Sequence, residues 1–539
     1  MIQIGNLVEI PLLTAIVFLP LLGAVVVMFL PRENKPLIRS VALGIALVEF
    51  LLSLQVFLGY DHGTGGFQFV EQSQWFALLG SSWHLGVDGI STVMILLTGL
   101  LIPLGVLVSF EVENQPRLFM ALFLFLETGM MGVFASLDLM IFFLFWEVGL
   151  VPMYFLINLW GGDRRLYASV KFFLYTMAGS LGLLLSIQLI GLTAGTMDMV
   201  QLFQIWPTFQ GTGGTFLGIS VATVKDLAFL AFFLAFAIKV PIWPFHTWLP
   251  DAHTEAPTAG SMLLAGVLLK LGAYGFLRLV LPLFPEQAAA FAPVIAFLAV
   301  LGIVLGAFAA WGQDDFKRLV AYSSVNHMGF VVLGIAAAAW VNGIIHTNGV
   351  APWLGLSPGT VAIPDTQSAI IATNGAVLQM FNHGLSSAAM FLLVGALYHK
   401  AHTRDLRKLG GLWVLAPVYG GLLIFASMAS LGLPGLNGFV SEFLVVRGAW
   451  PVFTVATLIS MAGLLFTGAY ILKGLQKVLH GKPAPEWVEY DHKHHRLEIT
   501  LRETIAILPL MILMLVTGVL PNWILPMIND TVTRLFGGV

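Results

Sequence analysis

Apolar runs of about 20 residues, each ended by a short polar break, recur from one end of this chain to the other. Each run is long enough to cross a hydrocarbon core about 30 Å thick as an α-helix, whereas the strands of a membrane β-barrel would be half as long and alternate in polarity. Hydrophobic residues make up 58% of the 539 positions and charged residues only 10%, which excludes a water-soluble fold. The sequence therefore predicts an all-α integral membrane protein.

The positions of the apolar runs predict about 14 transmembrane helices. We expect them near residues 10–30, 38–58, 90–110, 117–134, 138–160, 167–193, 225–247, 257–281, 290–311, 318–339, 369–398, 412–449, 453–479 and 502–522. The first run lacks a basic flank and a small-residue cleavage site, so we interpret it as a permanent helix rather than a signal peptide.

The distribution of lysine and arginine supports this number of helices, because an omitted helix would move every later loop to the other side. With the N-terminus outside, most of the 25 basic residues fall on the negative face of the membrane. They are Arg32, Lys35, Arg39, Arg117, Arg164, Arg165, Lys171, Lys317, Arg318, Lys400, Arg404, Arg407, Lys408, Lys473, Lys477, Lys482, Lys493, Arg496 and Arg502.

Two long external segments contain no basic residue. The segment 59–89 alternates in polarity at Phe67–Val70 and Trp83–Val87, which predicts a short hairpin over the external face. The segment 340–368 is rich in Gly, Pro and Thr and has no periodicity, so we expect an irregular surface insertion.

The chain has no cysteine, which excludes both a disulfide and a cysteine-ligated Fe–S cluster on it. Any redox chemistry must therefore belong to another subunit. The net charge of −3 gives no reason to expect nucleic acid as a partner.

Two lysines, Lys239 and Lys270, lie deep within apolar runs. A charge at bilayer depth is costly and usually faces a polar interior and a partner, and burial favours release of the lysine proton. A permanently paired lysine that only packs helices is the structural alternative. Four other basic residues fall near helix ends, where a long side chain reaches the interface: Lys225, Arg278, Arg447 and Arg534.

Three glutamates show the same pattern of burial. Glu147 lies within an apolar run and forms a plausible charge pair with Lys239, and Glu442 follows the break at Pro434-Gly435. Glu127 also lies in an apolar run, although it could serve only as a protonated helix contact. Acids of this kind beside lysines indicate a proton path.

Two histidines, His327 and His383, also lie in apolar helices, where imidazole can pass a proton near neutral pH. A lone buried histidine is more often an ordinary core residue, but here lysines and glutamates are buried as well. The histidines of the charged loop are expected to be solvated, with only a weak case for a metal site: His480, His492, His494 and His495.

Proline and glycine interrupt two of the predicted helices, the seventh after Lys239 and the twelfth before Glu442. Such breaks at corresponding places indicate inverted repeats around a site near the membrane midplane. We expect two five-helix repeats, helices 4–8 and 9–13. The predicted units are residues 1–116, 117–281, 290–479 and 480–539.

These residues lie in stretches that resemble the antiporter-like membrane subunits of respiratory complex I. The matching stretches are Phe145-Trp146-Glu147, Val151-Pro152-Met153-Tyr154, Lys239-Val240-Pro241, His246-Thr247-Trp248-Leu249-Pro250-Asp251-Ala252-His253, Leu263–Lys270, Ala321-Tyr322-Ser323-Ser324, Asn382-His383-Gly384 and Leu433-Pro434-Gly435. The similarity extends over essentially the whole chain, and glutamate at position 442 is typical of the M-type branch.

The resemblance implies a role for each buried residue in moving protons. Glu147 and Lys239 would gate the first half-channel, Lys270 with His327 and His383 would form a central relay, and Glu442 would be the exit to the positive side. It adds five secondary candidates: Glu127, His246, Asp251, His253 and Lys317.

The resemblance also implies a non-redox, proton-translocating subunit of an NAD(P)H- or ferredoxin-linked quinone oxidoreductase. Its partners would be neighbouring antiporter-like membrane subunits and lipids, with Fe–S clusters and quinone on other subunits and no cofactor or metal on this chain. We expect a bacterial inner membrane or a cyanobacterial thylakoid membrane. The alternatives are a subunit of a multisubunit Na⁺/H⁺ antiporter, which would need the same buried residues, and a structural scaffold, which would not.

Overall fold

The computed structural model describes residues 2–3, 9–211, 214–216, 218–347, 366–483, 485–492 and 497–537. Within these residues, 13 helices are long and apolar enough to cross a membrane, and a further span is divided into two shorter helices. The prediction of an all-α membrane protein with about 14 spans is confirmed.

The described residues contain 23 α-helical segments. Their bounds are α1 Leu12–Phe29, α2 Lys35–Gly59, α3 Gly89–Val108, α4 Pro116–Ala135, α5 Leu139–Val148, α6 Leu150–Trp160, α7 Arg165–Ala194, α8 Met199–Thr208, α9 Val221–Lys239, α10 Trp248–Glu255, α11 Thr258–Leu263, α12 Leu269–Gly275, α13 Leu281–Leu283, α14 Pro285–Trp311, α15 Phe316–Thr347, α16 Thr366–Ala401, α17 Leu412–Leu415, α18 Pro417–Leu431, α19 Asn437–Ala449, α20 Thr454–Leu479, α21 Pro485–His492, α22 Leu501–Val519 and α23 Leu525–Leu535. Helices α11, α12 and α13 form one span, joined by π-helical segments at Leu264–Leu268 and Phe276–Val280.

The centre of the molecule is formed by this span and by α16, whose most apolar windows are entirely buried. Helices α2, α20 and α22 lie at the periphery and expose many large apolar side chains. Exposed apolar surface is what a bilayer or a neighbouring membrane subunit covers.

In the described part of the chain, six strands form three antiparallel pairs: β1 Ile2–Gln3 with β2 Glu9–Ile10, β3 Gln68–Phe76 with β4 Ser81–Val87, and β5 Thr215–Phe216 with β6 Ile219–Ser220. The β3–β4 pair confirms the predicted hairpin. It is fixed to α1 by Glu71, whose carboxylate accepts hydrogen bonds from the backbone of Leu13 and Thr14 at 2.7 and 2.9 Å.

Both predicted helix breaks are present. Helix α9 ends at Lys239 and a turn-rich segment separates it from α10, while α18 ends at Leu431 and α19 begins at Asn437. At the second break Gly432 has a φ of +83°, a conformation that favours glycine. The predicted division of the chain into four units stays a prediction.

The structure corrects the start of one predicted loop and adds short helices that were not predicted. Residues 340–347, expected to begin an irregular insertion, continue helix α15, because Val341 and Ile344 are apolar and bury against the core. The remainder of that insertion, 348–365, lies outside the described residues. The short helices α8, α21 and α23 were not predicted, since each is too short to give an apolar run.

Candidate functional site

Lys239 is the last residue of α9, and Pro241, two positions later, cannot continue the helical hydrogen bonds. Its side chain is buried, and Nζ lies 5.0 Å from the centre of the Trp146 ring. Among the described residues no carboxylate oxygen lies within 4.0 Å of this ammonium group. An aromatic face attracts a cation, so the Trp146 ring stabilises the Lys239 ammonium group in this position.

Glu147 lies near the end of α5, two residues before Gly149, which separates α5 from α6. Its carboxylate interacts electrostatically with Lys239, but Oε1 is buried without a hydrogen-bond partner. The predicted pair is therefore made of neighbours rather than a contact ion pair, and the Trp146 ring lies against the lysine. Helix α4 packs directly on this helix boundary, since a Cβ at Gly129 would lie 2.7 Å from the backbone nitrogen of Gly149.

Lys270 lies on α12, between the two π-helical segments, and is fully buried. Its Nζ lies 2.7 Å from Nδ1 of His383 and also donates a hydrogen bond to the Ala265 carbonyl. π-Helical segments inside longer helices are frequent at functional sites, because they free backbone carbonyls for such contacts.

His383 and His327 lie side by side, with ring centres 5.7 Å apart. Nδ1 of His327 lies 2.8 Å from Oε1 of Glu442, and its Nε2 lies 3.3 Å from the Tyr470 hydroxyl. The Gln379 amide donates a second hydrogen bond to Oε1 of Glu442 at 3.0 Å. The structure thus brings four predicted residues into one buried row: Lys270, His383, His327 and Glu442.

The close packing of α18 on α19 places Glu442 in this row. A Cβ at Gly438 would lie 2.2 Å from the Ala429 carbonyl, so only glycine fits where the two halves of the span overlap. Asn382, next to His383, donates hydrogen bonds to the Asn437 carbonyl at 2.7 Å and to Ser441 at 3.0 Å. These bonds fix α19 against the helix that carries the histidine.

Two secondary candidates, His253 and Lys317, lie near Lys270 and beside a cavity, respectively. His253 is fully buried, stacks on Phe391 with ring centres 4.4 Å apart, and interacts electrostatically with both Lys317 and Lys270. Lys317 is buried and donates a hydrogen bond to the Ala256 carbonyl. A cavity of about 300 Å³ reaches Lys317, and its lining includes Glu111, Glu255 and His399.

The other secondary candidates are not part of the row. Asp251 binds Lys171 at 2.7 Å and Arg318 at 3.5 Å, which indicates a structural ion pair. His246 is half-buried beside Tyr322. Glu127 is fully buried and lies beside Glu49 of α2, away from the row.

Sequence reasoning was wrong about Arg278. It was expected to extend to the membrane interface, but it is buried and forms an ion pair with Asp88 at 2.6 Å. Its guanidinium also donates hydrogen bonds to Tyr274 at 3.0 Å and Ser91 at 3.2 Å. A glycine-rich external segment and α23 cover this end of the bundle, which the hydropathy of one helix does not reveal.

Arg447 is exposed, as expected for a residue at a helix end, and so is His480 in the charged loop. Lys225 is partly buried and donates to the Pro207 carbonyl at 2.7 Å. His494, His495 and the side chain of His492 lie outside the described residues. Elsewhere in the described chain there is no group of three or more potential metal ligands.

The sequence segments that carry this row match the model of a known protein family. A family model described as NADH:quinone oxidoreductase/Mrp antiporter, TM, matches residues 136–348 and 361–467, which include all six predicted site residues. The chain belongs to this family.

Similar members of the family are named as subunits of quinone oxidoreductases. NADH-quinone oxidoreductase subunit M of Rhodobacter capsulatus is 40% identical over 530 residues, covering 97% of this chain and 96% of the relative. NAD(P)H-quinone oxidoreductase chain 4 1 of Nostoc sp. is 39% identical over 491 residues, covering 89% of this chain and 83% of the relative.

Solved structures share the fold. A chain of respiratory complex I from Thermus thermophilus with bound NADH superposes with a TM-score of 0.79 at 28% identity, covering 98% of this chain and 100% of that chain. The Mrp complex from Dietzia sp. matches with a TM-score of 0.78 at 20% identity, covering 98% of each chain, which shows the fold alone.

Proposed function

We propose that this chain is the M-type membrane subunit of a complex I-type NAD(P)H:quinone oxidoreductase and that it moves protons through its buried row. It carries no redox centre. Quinone reduction and Fe–S clusters belong to partner subunits, and its neighbours in the membrane are other antiporter-like subunits and lipids. The full-length similarity to subunit M supports this assignment over an antiporter subunit.

The observation that carries the proposal is the buried row from Lys270 through His383 and His327 to Glu442. Short polar contacts join Lys270 to His383 and His327 to Glu442, and the two imidazole rings between them lie 5.7 Å apart, centre to centre. Each step joins two titratable groups, and the ammonium, imidazole and carboxyl groups differ in which protonation state they favour. A proton released by Lys270 can pass to His383, then His327, then Glu442. Glu442 is thereby assigned the last position before the positive face.

Glu147 and Lys239 are assigned the control of this row. A carboxylate near an ammonium favours its charged form, so a change in their separation alters the ease with which Lys239 gives up its proton. Among the described residues no contact ion pair holds Glu147 to Lys239, and the helix that carries Glu147 is interrupted at Gly149, so we assign to this pair a separation that changes. Lys239 and Lys270 lie on packed helices, since a Cβ at Gly272 would lie 2.9 Å from the backbone nitrogen of Val240.

Proton entry is assigned to the cavity at Lys317, on the side that the basic loops predict to be negative. His253 interacts electrostatically with both Lys317 and Lys270, and among the described residues both of its ring nitrogens are without a hydrogen-bond partner, so we assign it the connection from the cavity to the row. This position suits a histidine, which accepts and passes a proton near neutral pH.

Purification of the tagged chain from its own membranes tests the assignment to an oxidoreductase. We expect Fe–S-containing subunits to co-purify and the preparation to reduce quinone with a nicotinamide or ferredoxin donor. Co-purification with membrane subunits alone, together with Na⁺-dependent proton exchange in vesicles, would instead assign the chain to the antiporter class.

A further inference from the structure

Two glutamates outside the row are as deeply buried as any acid in the described part of the chain. Glu49 on α2 and Glu127 on α4 are both fully shielded from solvent. Among the described residues neither carboxyl group has a hydrogen-bond partner for either of its oxygens. The two groups are close enough to interact electrostatically with each other.

A third unpartnered polar group lies beside them. Ser53 is one turn further along the same face of α2, is fully buried, and its hydroxyl has no partner within the described part of the chain. A Cβ at Gly99 of α3 would lie 2.5 Å from this hydroxyl. The polar side chains therefore occupy a tightly packed junction of α2, α3 and α4 rather than a path to solvent.

No cation of these helices is near enough to neutralise the acids. Helices α1 and α3, which pack here, contain no ionisable side chain. The nearest basic residues along α2 and α4 are Arg39 and Arg117, each ten positions from the acid on its helix, or about 15 Å at the helical rise. Arg39 is already bound to Glu113 at 2.7 Å.

An ionised carboxylate without a hydrogen bond or counter-ion is very costly in an apolar interior, and two neighbouring ones repel each other. We propose that Glu49 and Glu127 form a proton-binding carboxyl pair, which holds at least one proton at neutral pH and is separate from the Lys270–Glu442 row. The ligand of this site is the proton itself, and Ser53 is the side chain placed to hydrogen-bond it.

Glu127 lies on α4, the helix that packs against the Glu147-bearing helix α5. Gly129 and Gly132 of α4 face α5, with Cβ positions that would lie 2.7 Å from the Gly149 nitrogen and 2.1 Å from the Phe145 ring. Glu127 is two residues before Gly129, so it lies on the far side of α4 from that contact. The proposal therefore does not depend on the function assigned to the row.

Infrared absorption of the assembled complex at neutral pH tests the proposal. The spectrum of wild type minus a Glu49→Gln/Glu127→Gln double variant is expected to contain a carboxylic-acid C=O band that shifts in D₂O. Only carboxylate bands in that difference would mean that both acids are ionised and would overturn the proposal, whatever the row does.

The matched control is Glu113→Gln on the same helix bundle. Hydrogen bonds from Lys35 and Arg39 lower the pKa of Glu113 to about 2, so its difference spectrum is expected to contain carboxylate bands alone. If the double variant does not assemble, Glu49→Asp and Glu127→Asp replace it. Each is expected to shift the carboxylic-acid band without removing it, and an unchanged band in both would overturn the proposal.

Discussion

Nδ1 of His327 lies 2.8 Å from Oε1 of Glu442, although 115 positions separate the two residues in the chain. The contact joins α15 to α19, the second half of the span that is broken between Leu431 and Asn437. The break lets α19 begin where Glu442 faces His327. Glu442 has Gln379 as its second donor, and both residues are buried. Glu442 is therefore the last residue of the row that begins at Lys270.

Replacement of Glu442 is the first prediction. Glu442→Ala should abolish proton transfer through this subunit, because His327 loses the only carboxyl group that lies beside it among the described residues. Glu442→Lys should keep part of the transfer, since a titratable group remains. The measurement is proton movement in vesicles driven by the assembled enzyme.

Glu33→Ala is the matched control, because Glu33 is an exposed glutamate outside the row. It should behave as the wild type. Transfer by Glu442→Ala equal to that of the control would remove Glu442 from the path and leave it a helix-packing acid.

Glu147 provides the second prediction, since its assigned role is a negative charge beside Lys239. Glu147→Gln should be nearly as damaging to pumping as loss of Lys239, whereas Glu147→Asp should be partly tolerated. The Glu147→Gln/Lys239→Ala double variant should be little worse than either single one, because both remove the same coupling. Additive losses in vesicle assays would show that the two residues act independently.

Arg278 and Asp88 give a prediction about stability rather than transport. Asp88 also caps α3 by accepting from the backbone of Ile90 and Ser91 at 3.1 and 3.0 Å. Arg278→Met should cost about 3–5 kcal/mol, because it leaves a buried carboxylate unpaired. The measurement is the unfolding temperature and yield of the purified complex.

Asp88→Asn/Arg278→Met should recover part of that loss, because the buried charge is gone and the amide oxygen can still cap α3. Equal stability of Arg278→Met and the wild type would mean that water or lipid reaches this end of the bundle.

Much of the fold and of the site is predictable from hydropathy. Lys239, Lys270, His327, His383 and Glu442 are polar residues inside long apolar runs, and their cost in a bilayer reveals them without a structure. Proline at 241 and 434 likewise marks both broken helices.

The remaining features depend on contacts between distant segments. The order Lys270, His383, His327 and Glu442 follows from packing of α12, α16, α15 and α19, which no local pattern encodes. Tyr470 and Gln379, which contact the row, resemble ordinary helix residues in the sequence. Glu49, in contrast, is predictable from the sequence as a buried acid, since it interrupts an apolar run, but it is not among the predicted site residues.

The central claim is that buried titratable residues of this chain move protons under the control of Lys239. Its most direct test is the number of protons moved per electron pair by the assembled complex in vesicles, for the wild type, Lys239→Ala and the exposed-lysine control Lys477→Ala. We predict that Lys239→Ala assembles but moves markedly fewer protons per electron pair, while the control matches the wild type. An assembled Lys239→Ala complex with an unchanged ratio would contradict the account.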